Sequence, residues 1–106
     1  MICGMVSSLN VVVLEGAKKY LLTISDDERG LIARDIESLR MNETEHVDIK
    51  QLRRKIRELR SGPHRLSYFE RKQTLYFVRG FRKKSTKTPK REIEYAEKIY
   101  ALLESV

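Results

Sequence analysis

A single cysteine, Cys3, excludes an internal disulfide, and one thiol cannot supply a metal cluster by itself. No apolar run approaches the ~20 residues of a membrane span. The start of the chain lacks the basic residues of a signal peptide, and its short apolar run at 11–14 is bracketed by Asn10 and Glu15. A cytoplasmic protein with no membrane contact is therefore expected. Internal repeats and low-complexity tracts are absent. No carboxylate pair or Cys/His cluster is spaced to hold Mg²⁺ or Zn²⁺, so no metal or other cofactor is expected. Acid is scarcest in one stretch: between positions 50 and 91 only Glu58 and Glu70 accompany 16 Lys and Arg residues, a net charge of +14. Residues 1–49 set five bases against nine acids (−4), and residues 92–106 set one against four (−3), which together leave +7.

The chain is thus a near-neutral scaffold with one dense cationic segment, interleaved with Tyr and Phe. A solvated helix face mixes signs to limit self-repulsion, whereas a one-sign run inside a folded domain points to a polyanion. Nucleic acid or the ribosome is the partner this implies. The 106 residues suit a single domain, 1–106, with a loose N-terminus over 1–9, and 41% apolar residues suffice for one core.

Residues 9–14 are short, β-branched and followed by Gly16, which predicts a strand. Ala17, Tyr20, Leu21 and Ile24 recur at helical spacing. Ser25 with Glu28 three residues later forms a capping box that opens a second helix, and Leu31, Ile32, Ile36 and Leu39 are its buried stripe. The two helices make a hairpin joined at Ser25. Residues 42–48 read as a loop. Ile49, Leu52, Ile56 and Leu59 fit a helical period that Gly62-Pro63 would stop. After Pro63 the pattern alternates, with Leu66 and Tyr68 on one face and Arg65, Ser67 and Phe69 on the other. A turn at 70–73 and a β-rich run at 74–81 complete an antiparallel hairpin. Residues 80–88 form a basic loop. Thr88 as N-cap and Pro89 in the first turn open a final helix whose stripe is Ile93, Ala96, Tyr100 and Leu103.

Three motifs carry a family likeness: Glu58-Leu59-Arg60, then Arg65-Leu66-Ser67-Tyr68-Phe69, then Gly80-Phe81-Arg82-Lys83-Lys84-Ser85-Thr86-Lys87-Thr88-Pro89. Together they resemble the phage-derived HigB-like branch of the RelE/ParE toxin superfamily. The resemblance implies an α+β, RelE-like (microbial-RNase-like) fold: a small antiparallel sheet, an N-terminal helical hairpin and a C-terminal helix. It implies a type II toxin that partners a cognate antitoxin protein and acts as a metal-independent, ribosome-dependent mRNA endonuclease. It also implies that residues 54–60 are strand, against the helical period there. The chain departs from many RelE-type toxins in having Glu58 where they carry a lysine before the Leu-Arg pair. Tyr95, inside the last helix, is a weak substitute for the C-terminal tyrosine or histidine that some members use.

Metal-free RNA cleavage employs the substrate's own 2′-hydroxyl. The protein must take that proton, stabilise a phosphorane and protonate the leaving 5′ oxygen. Arginine suits the second task because its guanidinium holds two phosphate oxygens at once. Lysines among other cations can trade protons near neutrality. Arg60, Arg65, Lys83 and Lys84 are therefore the expected catalytic residues, although Arg60 has Glu58 and Glu70 as rival partners. Lys55, Arg57, His64, Tyr68, Arg82 and Lys87 are expected to bind substrate. His64 is also a candidate acid or base, or simply a turn residue; Tyr68 is a base-stacking ring or a core residue. Lys50, Arg53 and Arg54 join Lys55 and Arg57 as phosphate or ribosomal RNA contacts. Two alternatives fit the same charge map: a ParE-like, non-enzymatic inhibitor of DNA gyrase, and an RNA- or ribosome-binding module without catalysis.

Overall fold

Residues 8–105 are described by a computed structural model. In chain order they form β1 (Asn10–Val13), α1 (Glu15–Leu21), α2 (Asp26–Arg40), β2 (Asp48–Arg53), β3 (Ile56–Ser61), β4 (His64–Arg71), β5 (Thr74–Arg82) and α3 (Lys90–Glu104). Cys3 and positions 1–7 of the expected loose N-terminus lie outside the described residues. Leu9 is already fixed: it is buried, and its amide donates to the Arg40 carbonyl at 2.8 Å.

The helical hairpin forms where the capping box predicts it. Glu28 N–H donates to Ser25 Oγ (3.1 Å), and Ser25 N–H reaches back to Glu28 Oε1 (3.3 Å). Asp26, Asp27 and Glu28 occupy the first turn of α2, where the helix dipole favours negative charge.

The helical period at 49–61 dissolves into two strands. Ile49 and Leu59 are cross-strand partners that pack toward the α1–α2 hairpin, while Leu52 and Ile56 face α3. Four apolar residues at helical spacing therefore belong to two opposite faces, because a turn at Arg54-Lys55 folds the stretch back on itself. Arg54 has φ 51° there. The strand implied at 54–60 accordingly begins at Ile56, with Arg54 and Lys55 in the turn.

The sheet order is β1-β5-β4-β3-β2. Strands β2 to β5 form an antiparallel meander, but β1 pairs with β5 in parallel, from Asn10 opposite Thr74 to Val13 opposite Phe77. The sheet is therefore mixed, a correction to the antiparallel sheet expected. The chain leaves β1 through the helical hairpin, enters the far edge and meanders back beside its starting strand. The β4–β5 turn tightens to Lys72 and Gln73, both at positive φ (51° and 61°), a geometry that suits a two-residue hairpin loop. Gly62, at φ 57°, supplies the same handedness at the β3–β4 turn without a Cβ clash.

Alternation divides the core. Leu59, Leu66, Tyr68, Leu75 and Phe77 pack with Ala17, Ile32 and Leu39 on the hairpin side, and Tyr68 stacks on Phe77 at 5.2 Å. Ile56, Phe69 and Val78 pack with Ala96 on the α3 side. Helix α3 starts one residue later than the sequence suggests. Pro89 is the N-cap, with no side-chain capping bond, and the Thr88 hydroxyl is spent on Glu58 instead.

Candidate functional site

One end of the sheet carries the β3–β4 turn and the segment between β5 and α3. Lys83 N–H donates to the Pro63 carbonyl at 2.7 Å, which fixes the start of that segment against the turn. Arg60 and Arg65 are cross-strand partners, so their side chains leave the sheet on the same face. Arg65 is 9% exposed; its Nη1 donates to the carbonyls of Gly62 (2.7 Å) and His64 (3.0 Å), which hold the guanidinium against the turn.

Beneath them lies Glu58, fully buried. Its Oε1 accepts from Arg60 Nε at 3.2 Å and its Oε2 from the Thr88 hydroxyl at 2.6 Å. Burial of a carboxylate is tolerable because both oxygens are bonded and one partner is a cation. Glu58 thereby ties β3 to the segment preceding α3 and aims Arg60. Glu58, Arg60, Arg65, Phe81, Lys83, Ser85, Thr86, Lys87 and Thr88 line a hollow of about 150 Å³.

Four of the expected residues, Arg60, Arg65, Lys83 and Lys87, are thus brought together. Lys84 and Arg82 are not in this hollow; they line an adjoining one. Lys55 and Arg57 lie at the opposite end of the sheet, beside Arg54, Glu70 and Lys72. The eight residues of β4 separate the two ends by roughly 20 Å. One phosphate-sized hollow cannot gather cations from both ends. Arg53, read as a phosphate contact, instead donates to Glu97 of α3 at 2.9 Å.

His64 and Tyr68 depart from the expectation for the same reason. Each follows the alternation of β4 onto the hairpin side, away from Arg65. Tyr68 is 1% exposed within the core, and its hydroxyl is pushed up by burial, partly offset by Arg57 beside it. It has no face free for a base. His64 is equally buried: its Nε2 is 2.9 Å from Glu28 Oε2 and its Nδ1 2.6 Å from the Tyr20 hydroxyl. The hydrogen bond from His64 is the main reason the Glu28 carboxyl is lowered to about 2, with the Ser25 bonds adding to it. An ionised carboxylate only accepts, so Nε2 carries a proton and, in the neutral ring, Nδ1 accepts from Tyr20. The histidine is a strut between sheet and helical hairpin.

Sequence reasoning named Glu58 only as a rival partner for Arg60 and Thr88 only as a helix cap, and placed neither in the site. A signal for Glu58 existed: it stands two residues before Arg60, hence on the same strand face, as one of two acids in a strongly basic stretch. Thr88 had no such signal, because its partner is 30 positions away.

Chemically, the hollow offers two guanidinium groups, one anchored by carbonyls and one by a carboxylate, with lysines at the rim. That arrangement suits a dianionic phosphate. Among the described residues, no three His, Cys, Asp or Glu side chains gather in a group able to hold a metal ion. No helix among them is long and apolar enough to cross a membrane.

Comparison with known proteins adds family and fold. Residues 19–101 match the model of a family described as phage derived protein Gp49-like. No curated protein matches the chain. Among solved structures, it is similar to a RelB–RelE antitoxin–toxin complex from Methanococcus jannaschii (18% identity, TM-score 0.59, covering 79% of this chain and 94% of that one). It is also similar to the toxin–antitoxin complex RelBE2 from Mycobacterium tuberculosis (20% identity, TM-score 0.59, 72% and 99%) and to a RelE–RelB complex from Pyrococcus horikoshii OT3 (16% identity, TM-score 0.60, 71% and 94%). At these identities the likeness establishes a shared RelE-like fold.

Proposed function

The chain belongs to the family of phage-derived Gp49-like proteins, and on that premise we propose that it is the toxin of a type II toxin–antitoxin pair. In this reading it is a metal-independent endoribonuclease that cuts mRNA on the ribosome, arrests translation in the cytoplasm and is held in check by a cognate antitoxin. The similar solved structures are toxin–antitoxin complexes, which supports the partner. The observation that carries the activity is the convergence of Arg60, Arg65 and Lys83 on one hollow over the buried Glu58.

The 2′-hydroxyl passes its proton to Glu58 or to solvent as it attacks the adjacent phosphorus, negative charge grows on the non-bridging oxygens, and the bond to the 5′ oxygen then breaks to leave a 2′,3′-cyclic phosphate. Arg65, already rigid, meets that charge without reorganising, and Arg60 meets it from the neighbouring strand. Lys83 stands at the rim as proton donor to the leaving 5′ oxygen or as a clamp, and Lys87 contacts flanking phosphate. Among the described residues Glu58 is the one carboxylate lining the hollow. It keeps Arg60 in place, and a Glu58→Gln variant separates that duty from proton acceptance, because glutamine retains an acceptor oxygen but takes no proton.

Burial of His64 on the far side of the sheet favours the rival reading, a non-enzymatic ParE-like inhibitor of DNA gyrase, since it leaves the hollow without an imidazole. Induction in a bacterial host with 5′-end mapping of transcripts decides between them. New mRNA 5′ ends that vanish in Arg65→Ala support cleavage. Intact transcripts with a DNA-damage response support gyrase inhibition. Intact transcripts with ribosome binding alone leave a non-catalytic module.

A further inference from the structure

Beside the reaction hollow lies a second one, of about 300 Å³, whose lining includes Tyr20, Gly80, Arg82, Lys84, Arg91 and Glu92. The two share Phe81, Ser85 and Lys87 as a common wall. We propose that this second hollow is a phosphate subsite, so that the ligand of the protein is a single strand holding one phosphate in each hollow across one nucleoside. The proposal rests on reading the first hollow as a phosphate site, and it names what must lie next to that phosphate.

The charge balance carries the argument. Arg82, Lys84, Lys87 and Arg91 line the space, and among the described residues Glu92 is its single carboxylate. Glu92 is 5% exposed and already held by Arg79, with Nε 3.1 Å from Oε1 and Nη2 donating to Oε2 at 3.4 Å. Arg91 lies a longer 4.0 Å from the same carboxylate. Among the described residues Arg82, Lys84 and Lys87 enter no ion pair. Cations crowded around a concave space whose one counter-charge is already engaged raise the local potential and concentrate an anion there. Helix α3 begins at the same rim, and its first-turn amides add to that field.

The shape argues for one strand. The shared wall makes the hollows neighbours, as successive phosphates of one chain are, whereas a duplex presents its phosphates outward on a stiff rod. Gly80 keeps the space open on the Tyr20 side. A Cβ there would stand 2.5 Å from the Tyr20 ring, so any larger residue would displace the ring that forms the wall.

Binding of 2′-O-methylated oligonucleotides, which cannot be cut, to the full-length chain tests this without relying on catalysis. The probes are a dinucleotide with one phosphate and a trinucleotide with two, followed by fluorescence anisotropy over a range of salt. The second phosphate should tighten wild-type binding about tenfold, the scale of one charge-assisted hydrogen bond. It should steepen the salt dependence by about 0.7 in the log–log slope. The triple variant Arg82→Ala/Lys84→Ala/Arg91→Ala should lose both increments, so that it binds the trinucleotide no more tightly than the dinucleotide. Equal increments in variant and wild type, or a duplex probe binding as tightly as the single strand, would overturn the subsite. If instead Arg60→Ala/Arg65→Ala binds the dinucleotide as wild type does, the reading of the first hollow fails, and the increment assigned to the second is still measured separately.

Discussion

The two ends of the sheet carry the same kind of charge and hold it differently. At the β3–β4 end, Arg65 is anchored by two backbone carbonyls and Arg60 by a buried carboxylate. At the other end, Arg54, Lys55 and Lys72 stand exposed on two hairpin turns, with Glu70 as the acid of that cluster. An anchored cation has lost its rotamer freedom on folding, so it meets a developing charge at no further entropic cost. A solvated cation contributes field, long-range attraction and salt dependence. Charge density alone does not separate these two behaviours; the atoms that hold each cation do.

The sharpest way to break the comparison is at Arg65. Arg65→Ala should lower mRNA cleavage about 100-fold or more, read as 5′ ends per unit of induced protein. Arg65→Lys should restore little, because an ammonium cannot make the paired contacts of a guanidinium. Next is Glu58. Glu58→Ala leaves Arg60 and Thr88 without their acceptor and should cost about 2 kcal/mol in urea unfolding, with activity falling too. Unchanged stability would mean that Glu58 does not organise this end.

A smaller effect is expected at the His64 strut, off the reaction face. His64→Ala should lower stability by about 1 kcal/mol and reach activity only through that loss. The paired Glu28 adds a pH dependence. Its folded carboxyl is lowered to about 2 from 4.5, so its contribution is complete above pH 4.5 and drains away as pH falls toward 2. Urea midpoints measured across that window should converge for wild type and Glu28→Gln as the pH drops. A gap that persisted at pH 2 would contradict the pairing.

The smallest effect belongs to the exposed end. Lys55→Ala/Lys72→Ala should leave unfolding within about 0.5 kcal/mol of wild type. It should change cleavage about twofold at low salt, and less as salt rises. Loss of activity comparable to Arg65→Ala would erase the distinction between anchored and solvated cations.

Much of this architecture is written locally in the chain. Ser25 and Glu28 announce a helix start because both halves of a capping box sit within one turn. Gly62-Pro63 marks a break because proline and glycine interrupt regular structure by themselves, although the element it ends is a strand and not the helix that the period suggests. The resemblance in the 58–60, 65–69 and 80–89 motifs agrees with the family match and the RelE-like fold. The stretch at 49–61 misleads on periodicity, since a tight turn between two strands can mimic a helical spacing. His64 and Arg65 show the limit most plainly. They are adjacent in sequence, but a pleated strand sends neighbours to opposite faces, one into a strut and the other into the hollow.

By itself, the amino-acid sequence determined the capping-box start of α2, the turn between β4 and β5, and that positive charge would be dense over positions 50–91, because these depend on residues within a few positions of one another. Tertiary structure alone decided which cations converge, which are braced and which are merely wet. That choice depends on strand register, on the face each side chain takes, and on a bond between Glu58 and Thr88 that only the folded sheet can close.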